Sequence, residues 1–114
     1  IKYYLDISKR EQKRRLGARR RDPLKQWKLS PVDARAQKLW KRYTRARDVM
    51  LKKTHTDDAP WSLVRADDKD AARRQVIRDL LARFEYPGRR FTPADRDVLF
   101  EFEPQALTDG RLAR

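Results

Sequence analysis

The sequence contains no cysteine, a single histidine, a single methionine and three glycines in 114 residues. Each shortage excludes something. Without cysteine there are no disulfides and no thiolate metal sites, which fits a reducing compartment, and a cytoplasmic location is expected. The glycines, Gly17, Gly88 and Gly110, stand far apart. Neither a G-x-x-x-x-G-K-[ST] loop nor a G-x-G-x-x-G turn can be assembled from them, so any phosphate handled here meets side chains rather than a glycine cradle. His55 sits alone in a polar loop without partner ligands, so it is assigned no role and no metal site is expected in this chain. No apolar run approaches the ~20 residues of a membrane span. No signal-peptide pattern opens the chain either. The first residue is Ile rather than Met, and the natural start is expected to lie upstream.

What the chain has in excess is positive charge. Thirty Lys and Arg face seventeen Asp and Glu, a net +13. That balance points to a polyanionic partner: nucleic acid, an anionic membrane surface, or phosphate-rich small molecules. Residues 9–28 hold ten of the basic side chains against Glu11 and Asp22, a local net of +8. Like charges at i,i+4 repel by a few tenths of a kcal/mol per pair, and a bound anion relieves that repulsion. Gln12, Arg15 and Arg19 fall at i, i+3 and i+7, on one helical face. An arginine fork can donate two hydrogen bonds to phosphate oxygens. From charge alone three readings stay open: a solvated basic surface, a nucleic-acid-binding module, or a lid over phosphate substrates.

The order of elements narrows the fold. Residues 1–8, with Tyr3, Tyr4, Leu5 and Ile7, read as a strand buried on both faces. Ser8 followed by Glu11 has the spacing of a capping box, so a helix begins at Lys9. That helix carries only Leu16 and Ala18 as apolar side chains and lacks a core-facing stripe. Asp22-Pro23 ends it and starts a short second helix. Ser30-Pro31-Val32-Asp33 opens a long helix to about Lys53, with Trp40, Tyr43 and Met50 as core residues. Residues 61–66 read as a second strand, and Asp67 or Asp68 caps a further helix over about 68–85. The stripe of this last helix is Ala72, Val76, Ile77, Leu80, Leu81 and Phe84, and Tyr86-Pro87-Gly88 stops it. In the tail, Thr92-Pro93 is a helix-start signal, and Val98, Leu99, Phe100 and Phe102 form a short apolar cluster. Strands joined through helices are parallel with a right-handed crossover. Two parallel strands do not make a self-sufficient sheet, so further strands are expected upstream. Completing a partner's sheet, with a role in oligomer contacts, is therefore a third kind of reading beside enzyme and nucleic-acid binder.

The ordered residues of the basic segment carry more than its charge. Glu11, Gln12, Arg15, Leu16 and Arg19, followed by Asp22, Pro23, Lys25, Trp27 and Lys28, match the pattern E-Q-x-x-R-[LF]-x-x-R, two residues, then D-P-x-K-x-W-K. This strongly resembles the lid of the polyphosphate kinase 2 family. Trp40-Lys41-Arg42-Tyr43 is similar to the family's long helix. Ala59-Pro60-Trp61 and Ala66-Asp67-Asp68-Lys69 look like its last strand and helix start. The resemblance covers about residues 1–86 and leaves 87–114 as a C-terminal tail.

The resemblance implies an α/β chain that is the C-terminal portion of a P-loop kinase-like three-layer α/β/α fold. The parallel strands would lie at about 1–8 and 61–66, the helical lid at about 9–29, and the long helices at about 31–53 and 68–85. It implies an enzyme that moves a terminal phosphoryl group reversibly between inorganic polyphosphate and a nucleotide, with magnesium (Mg2+). Leu29-Ser30-Pro31 looks like members acting on nucleoside diphosphates, ADP or GDP. The family's glycine-rich loop and the aspartate-arginine motif after it are not among these residues. They are expected upstream, along with most of the magnesium binding, and this stretch alone is expected to be inactive.

By the same resemblance Arg19 and then Arg15 are expected to contact phosphate directly during transfer. Arg14 is expected to join them, and Lys25 and Lys28 to supply point charges along the polyphosphate path. Gln12 either orients a phosphate oxygen or caps a turn. Asp22 and Trp27 are expected to support the lid, Asp22 as a helix cap or a salt-bridge partner, Trp27 by packing against the long helix. Asp67 and Lys69 lie just past a strand end, where open α/β sheets place ligands, although capping is the plainer use of each. A homo-oligomer is expected, a membrane is not, and nucleic acid is the lesser partner.

Overall fold

The structure, a computed structural model, describes residues 1–90 and 92–114. Three strands form one sheet in the order β1-β2-β3, with β1 Lys2–Asp6, β2 Trp61–Arg65 and β3 Leu99–Glu101. β1 and β2 run parallel, from Lys2 opposite Trp61 to Asp6 opposite Arg65. β3 runs antiparallel to β2, with Ser62 opposite Glu101 and Val64 opposite Leu99. The parallel pair follows the sequence reading. The third strand does not, because a three-residue strand is shorter than any periodicity can announce.

β2 is the centre of the sheet, and Ser62, Leu63 and Val64 are all buried. Side chains alternate across a strand, so Leu63 and Val64 feed opposite cores. On one face Leu63 meets Leu51, Phe102, Ala106, Leu107 and Leu112, with Tyr4 and Trp61 packed alongside. On the other, Val64 meets Ala66, Ala72 and Leu99, with Tyr3, Ile7 and Val76 alongside. Helices therefore cover both faces, and residues 102–112 are part of the first core.

Four α-helices are connected around this sheet: α1 Lys9–Arg21, α2 Pro31–Ala36, α3 Trp40–Thr54 and α4 Lys69–Ala82. A 3-10 helix, Pro23–Lys28, follows α1. The Ser30–Asp33 capping box forms as the sequence implies. The single long helix over 31–53 is instead split by a turn at 37–39. No proline or glycine marks this break. At the turn the Gln37 amide donates to the Lys9 carbonyl at 3.3 Å and to Gln12 Oε1 at 2.7 Å, a tertiary demand that local sequence does not display.

Several burial expectations are corrected. Tyr43 is 51% exposed rather than core. The buried positions of α3 are Arg47 and Leu51, with Trp40 and Thr44 half-buried on the same i, i+4, i+7, i+11 stripe. β1 is not buried on both faces: Leu5 is 59% exposed, and among the described residues β1 is an edge strand paired with β2 alone. On α4 only the N-terminal part of the apolar stripe packs. Ile77, Leu80, Leu81 and Phe84 stay exposed, and the helix ends at Ala82 rather than near 85. Asp68, not Asp67, caps α4, accepting from the Asp70 and Ala71 amides. Among the described residues no helix starts at Thr92-Pro93; the helical turn of the tail is the 3-10 helix Pro104–Leu107.

A buried ion pair ties the C-terminal end of β1 to α3. Arg47 Nη1 donates to Asp6 Oδ1 at 3.0 Å and to the Ala113 carbonyl at 2.8 Å. The Ala113 amide donates to Asp6 Oδ2 at 2.7 Å. Arg47 Nε and Nη2 both donate to Asp48 Oδ1. Burial pushes the Asp6 carboxyl above its ordinary range, against the pull of the Ala113 amide and Arg47. Removing one partner of such a pair strands the other charge in a dry site, at about 3–5 kcal/mol. Urea unfolding should show Arg47→Met losing that much, whereas Asp6→Leu combined with Arg47→Met loses clearly less than the two single changes summed.

Candidate functional site: the basic helical hairpin

The basic segment folds as α1 plus the 3-10 helix, inserted between β1 and α2. Its entry is fixed by two carboxylates. Ser8 Oγ accepts from the Glu11 amide at 3.1 Å, the first half of a capping box. The second half does not form, since the Ser8 amide donates to Asp67 Oδ1 at 2.7 Å instead. Glu11 is thereby free for arginine. Arg14 Nε and Nη2 donate to its two oxygens, and Arg15 Nε donates to Oε1, all at 2.6 Å. The hydrogen bond from Arg14, reinforced by Arg15 and opposed by desolvation, draws the Glu11 carboxyl down to about 2.

Arg15 is the anchor of α1. Its Nη2 donates to the carbonyls of Ala66 and Asp67, just past the C-terminal end of β2. Nε and Nη2 are thus committed to the protein, and Nη1 is the nitrogen without a partner among the described residues. Arg19 lies one turn further on the same face. Its nearest carboxylate, Asp33, is 4.0 Å away, and its side chain is 38% exposed. Gln12, on this face as well, accepts from Gln37 through Oε1.

The remaining candidates lie on the 3-10 helix or the outer surface. Asp22 caps the 3-10 helix by accepting from the Leu24 amide and also pairs with Lys25. That pairing with Lys25 leads the causes that hold the Asp22 carboxyl below its ordinary range. Lys28 Nζ lies 5.0 Å from the Trp27 ring. Trp27 does not pack on the long helix as expected; it is 78% exposed, and its indole N–H turns back to the Leu24 carbonyl. Asp67 and Lys69 make no shared site: Asp67 holds the Ser8 amide, and Lys69 is an exposed first-turn residue of α4. The i, i+3, i+7 spacing correctly brings Gln12, Arg15 and Arg19 to one face. The cations of the 3-10 helix are engaged locally, Lys25 with Asp22 and Lys28 beside the Trp27 ring.

Sequence reasoning missed the polar groups beneath the hairpin. A groove of about 360 Å³ runs along the C-terminal end of β1. Asp6, Gln12, Asp33, Trp40 and Arg47 line it. The Trp40 indole nitrogen is buried there without a hydrogen-bond partner among the described residues. Asp6 at the end of β1 and Arg47 within the buried stripe of α3 are charges that a hydropathy pattern reads as solvent-facing. Among the described residues, no three His, Cys, Asp or Glu gather where they could hold a metal.

The clamp has a pH signature. Because the folded carboxyl of Glu11 lies near 2, below its ordinary 4.5, the clamp is at full strength above about pH 4.5 and is lost as the pH falls toward 2. Amide hydrogen exchange of α1, read as protection factors against the intrinsic rate at each pH, should therefore lose protection across that window. In Glu11→Gln the exchange should already be fast at neutral pH and show no such acid step.

Known proteins resemble this chain strongly. The profile of the family described as Polyphosphate kinase 2 (PPK2) matches residues 1–92. A GDP-polyphosphate phosphotransferase of Pseudomonas aeruginosa is 42% identical over 114 residues, covering 100% of this chain and 30% of that protein. An ADP-polyphosphate phosphotransferase 3 of Rhizobium meliloti is 46% identical over 95 residues, covering 83% of this chain and 34% of that protein. An ADP-polyphosphate phosphotransferase of Pseudomonas aeruginosa is 48% identical over 86 residues, 75% of this chain and 28% of that protein. The chain thus spans about a third of the length of these curated relatives. The family implies a P-loop kinase fold, consistent with the parallel β1–β2 pair and helices on both sheet faces. With four-fifths of its residues inside the family profile, the chain belongs to the polyphosphate kinase 2 family.

Proposed function

We propose that residues 1–86 form the lid-bearing C-terminal part of a cytoplasmic polyphosphate:nucleotide phosphotransferase, with the lid at about 9–29 and a tail at 87–114 that seals one face of the sheet. The whole enzyme would move a terminal phosphoryl group reversibly between inorganic polyphosphate and a nucleoside diphosphate, ADP or GDP. The observation that carries this reading is the Arg15 anchor. It roots a +8 hairpin beside the C-terminal ends of two parallel strands, the place where open α/β sheets bind ligands. The names of the relatives, which include GDP- and ADP-polyphosphate phosphotransferases, support the choice of substrates.

Phosphoryl transfer depends chiefly on positioning and on compensating negative charge. In this reading Arg19 is the mobile donor. Its weak 4.0 Å contact with Asp33 is readily exchanged for phosphate oxygens. Arg15 holds the hairpin's root and presents Nη1 to the same region. Arg14, Lys25 and Lys28 add positive potential along the path, and Gln12, whose Oε1 accepts from Gln37, offers its amide nitrogen as a donor. Closure over the phosphates would exclude water and strengthen each of these contacts. Magnesium, which the family generally uses, would supply charge compensation when bound by the phosphates and by groups outside this stretch. The exposed Ile77, Leu80, Leu81 and Phe84 of α4 support assembly with further protein surface, including a second copy.

The test uses the full-length protein with polyphosphate and either ADP or GDP. Arg19→Ala should lower kcat for triphosphate formation by about 10²–10³-fold, the range for loss of one charge-stabilising donor. An unchanged rate would remove Arg19 from the transfer site. The net +8 of the hairpin also favours a second reading, a basic nucleic-acid-binding module. Tight, steeply salt-dependent RNA or DNA binding that polyphosphate does not displace would support that reading instead.

A further inference from the structure

The hairpin carries two cationic faces, and the phosphotransferase reading draws on the outer one only through Arg14. Successive residues of an α-helix are turned by about 100°. Gln12, Arg15 and Arg19 therefore share one face, while Arg10, Lys13, Arg20 and Arg21 lie on nearly the opposite one. This outer face borders an open groove of about 550 Å³, with Asp33 and Gln37 on its far wall. Gly17 lies in the middle of the stripe, and a Cβ placed there would meet only Arg21 Nη1, at 3.7 Å. The backbone between the cations is thus open to approach.

The two faces differ in their commitments. Arg15 is bonded to Glu11 and to two carbonyls, and Gln12 is bonded to Gln37. On the outer face Arg14 is held by Glu11. Arg10, Lys13, Arg20 and Arg21 are exposed, and their side chains have no hydrogen bond or ion pair among the described residues. The one carboxylate across the groove, Asp33, already accepts from the Ser30 amide and faces Arg19. Four unneutralised cations on one helix face repel each other. From Arg10 to Arg21 they span about 16 Å at 1.5 Å per residue. A single phosphate group cannot neutralise a stripe of that length, but a linear polyanion lying along α1 can.

We infer that the outer face of α1 is an auxiliary subsite for the distal part of a long polyphosphate chain, separate from the face that meets the reacting phosphates. The subsite makes the protein selective for chain length. The choice of polyanion rests on the phosphotransferase reading. The stripe has no aromatic side chain, whereas base-stacking aromatics typify sites for single-stranded nucleic acid.

The experiment compares full-length wild type with the quadruple change Arg10→Gln, Lys13→Gln, Arg20→Gln and Arg21→Gln. A second variant, Gly17→Glu, sets a carboxylate in the middle of the stripe. Calorimetric titration gives Kd for long-chain polyphosphate, tripolyphosphate and a single-stranded RNA at several salt concentrations. Both variants should keep the wild-type Tm and weaken long-chain binding at least tenfold, with tripolyphosphate binding unchanged. In the quadruple variant the log Kd–log salt slope should flatten by about 3, from four cations at roughly 0.7–0.9 each. Equal loss for both polyphosphates, no loss for either, or a wild type that binds long chains no better than tripolyphosphate overturns the subsite. Loss confined to RNA overturns it in favour of nucleic acid. Because Kd is read without turnover, a full-length protein that fails to make triphosphate would sink the phosphotransferase reading while leaving this test decisive.

Discussion

Asp6 and Arg47 meet in a nearly dry site, and the rest of the chain is arranged around their contact. Asp6 is the last residue of β1, two positions before the N-cap of α1. Arg47 comes from the middle of α3, and the backbone of Ala113 closes the pair from the tail. One guanidinium thus joins three segments that are far apart in sequence. A hydrophobic pair of equal size could fill the volume, but it would not require Ala113 to present both its N–H and its carbonyl. The ion pair therefore fixes where the tail must lie, and the tail in turn brings Phe102, Leu107 and Leu112 to the core.

A second clamp governs the hairpin. Glu11, Arg15 and the carbonyls beyond β2 hold the start of α1 against the sheet. Past this point, Leu16 is the one buried apolar side chain in α1. The hairpin is thus secured by directional polar bonds at its root rather than by apolar packing along its length. In the proposed lid role, that division lets the segment stay placed but not fixed. Polar bonds can exchange for phosphate oxygens at little net loss, whereas a buried apolar stripe would have to be exposed to water.

Much of this was legible from residue order. Ser8, Asp22, Ser30 and Asp68 each cap a helix, because short polar side chains satisfy free amides in a way that local sequence fully specifies. The parallel β1–β2 pair followed from two apolar runs separated by helices. What escaped the sequence depended on distant partners. Tyr43 looked like core because its spacing fits an apolar stripe, yet Arg47 and Leu51 took the buried face once Asp6 supplied a partner for the arginine. The break at 37–39 follows from Gln37 reaching to α1. β3 is three residues long and owes its existence to the edge of β2. At the site, the shared face of Gln12, Arg15 and Arg19 was legible from helix geometry. The anchoring of Arg15 to backbone carbonyls was not, because carbonyls leave no mark in a sequence.

The position of that anchor has a mechanical consequence. From Arg15 to Arg21 the helix extends for about 9 Å at 1.5 Å per residue, held along that length by little packing. It is a lever with its fulcrum at the clamp. Tilting it by about 20° would carry the far end of this α1 arm roughly 3 Å by the same geometry, comparable to the reach of one hydrogen bond. A small adjustment at two arginine contacts would thus be amplified at the far end of the arm, while the sheet beneath does not have to move.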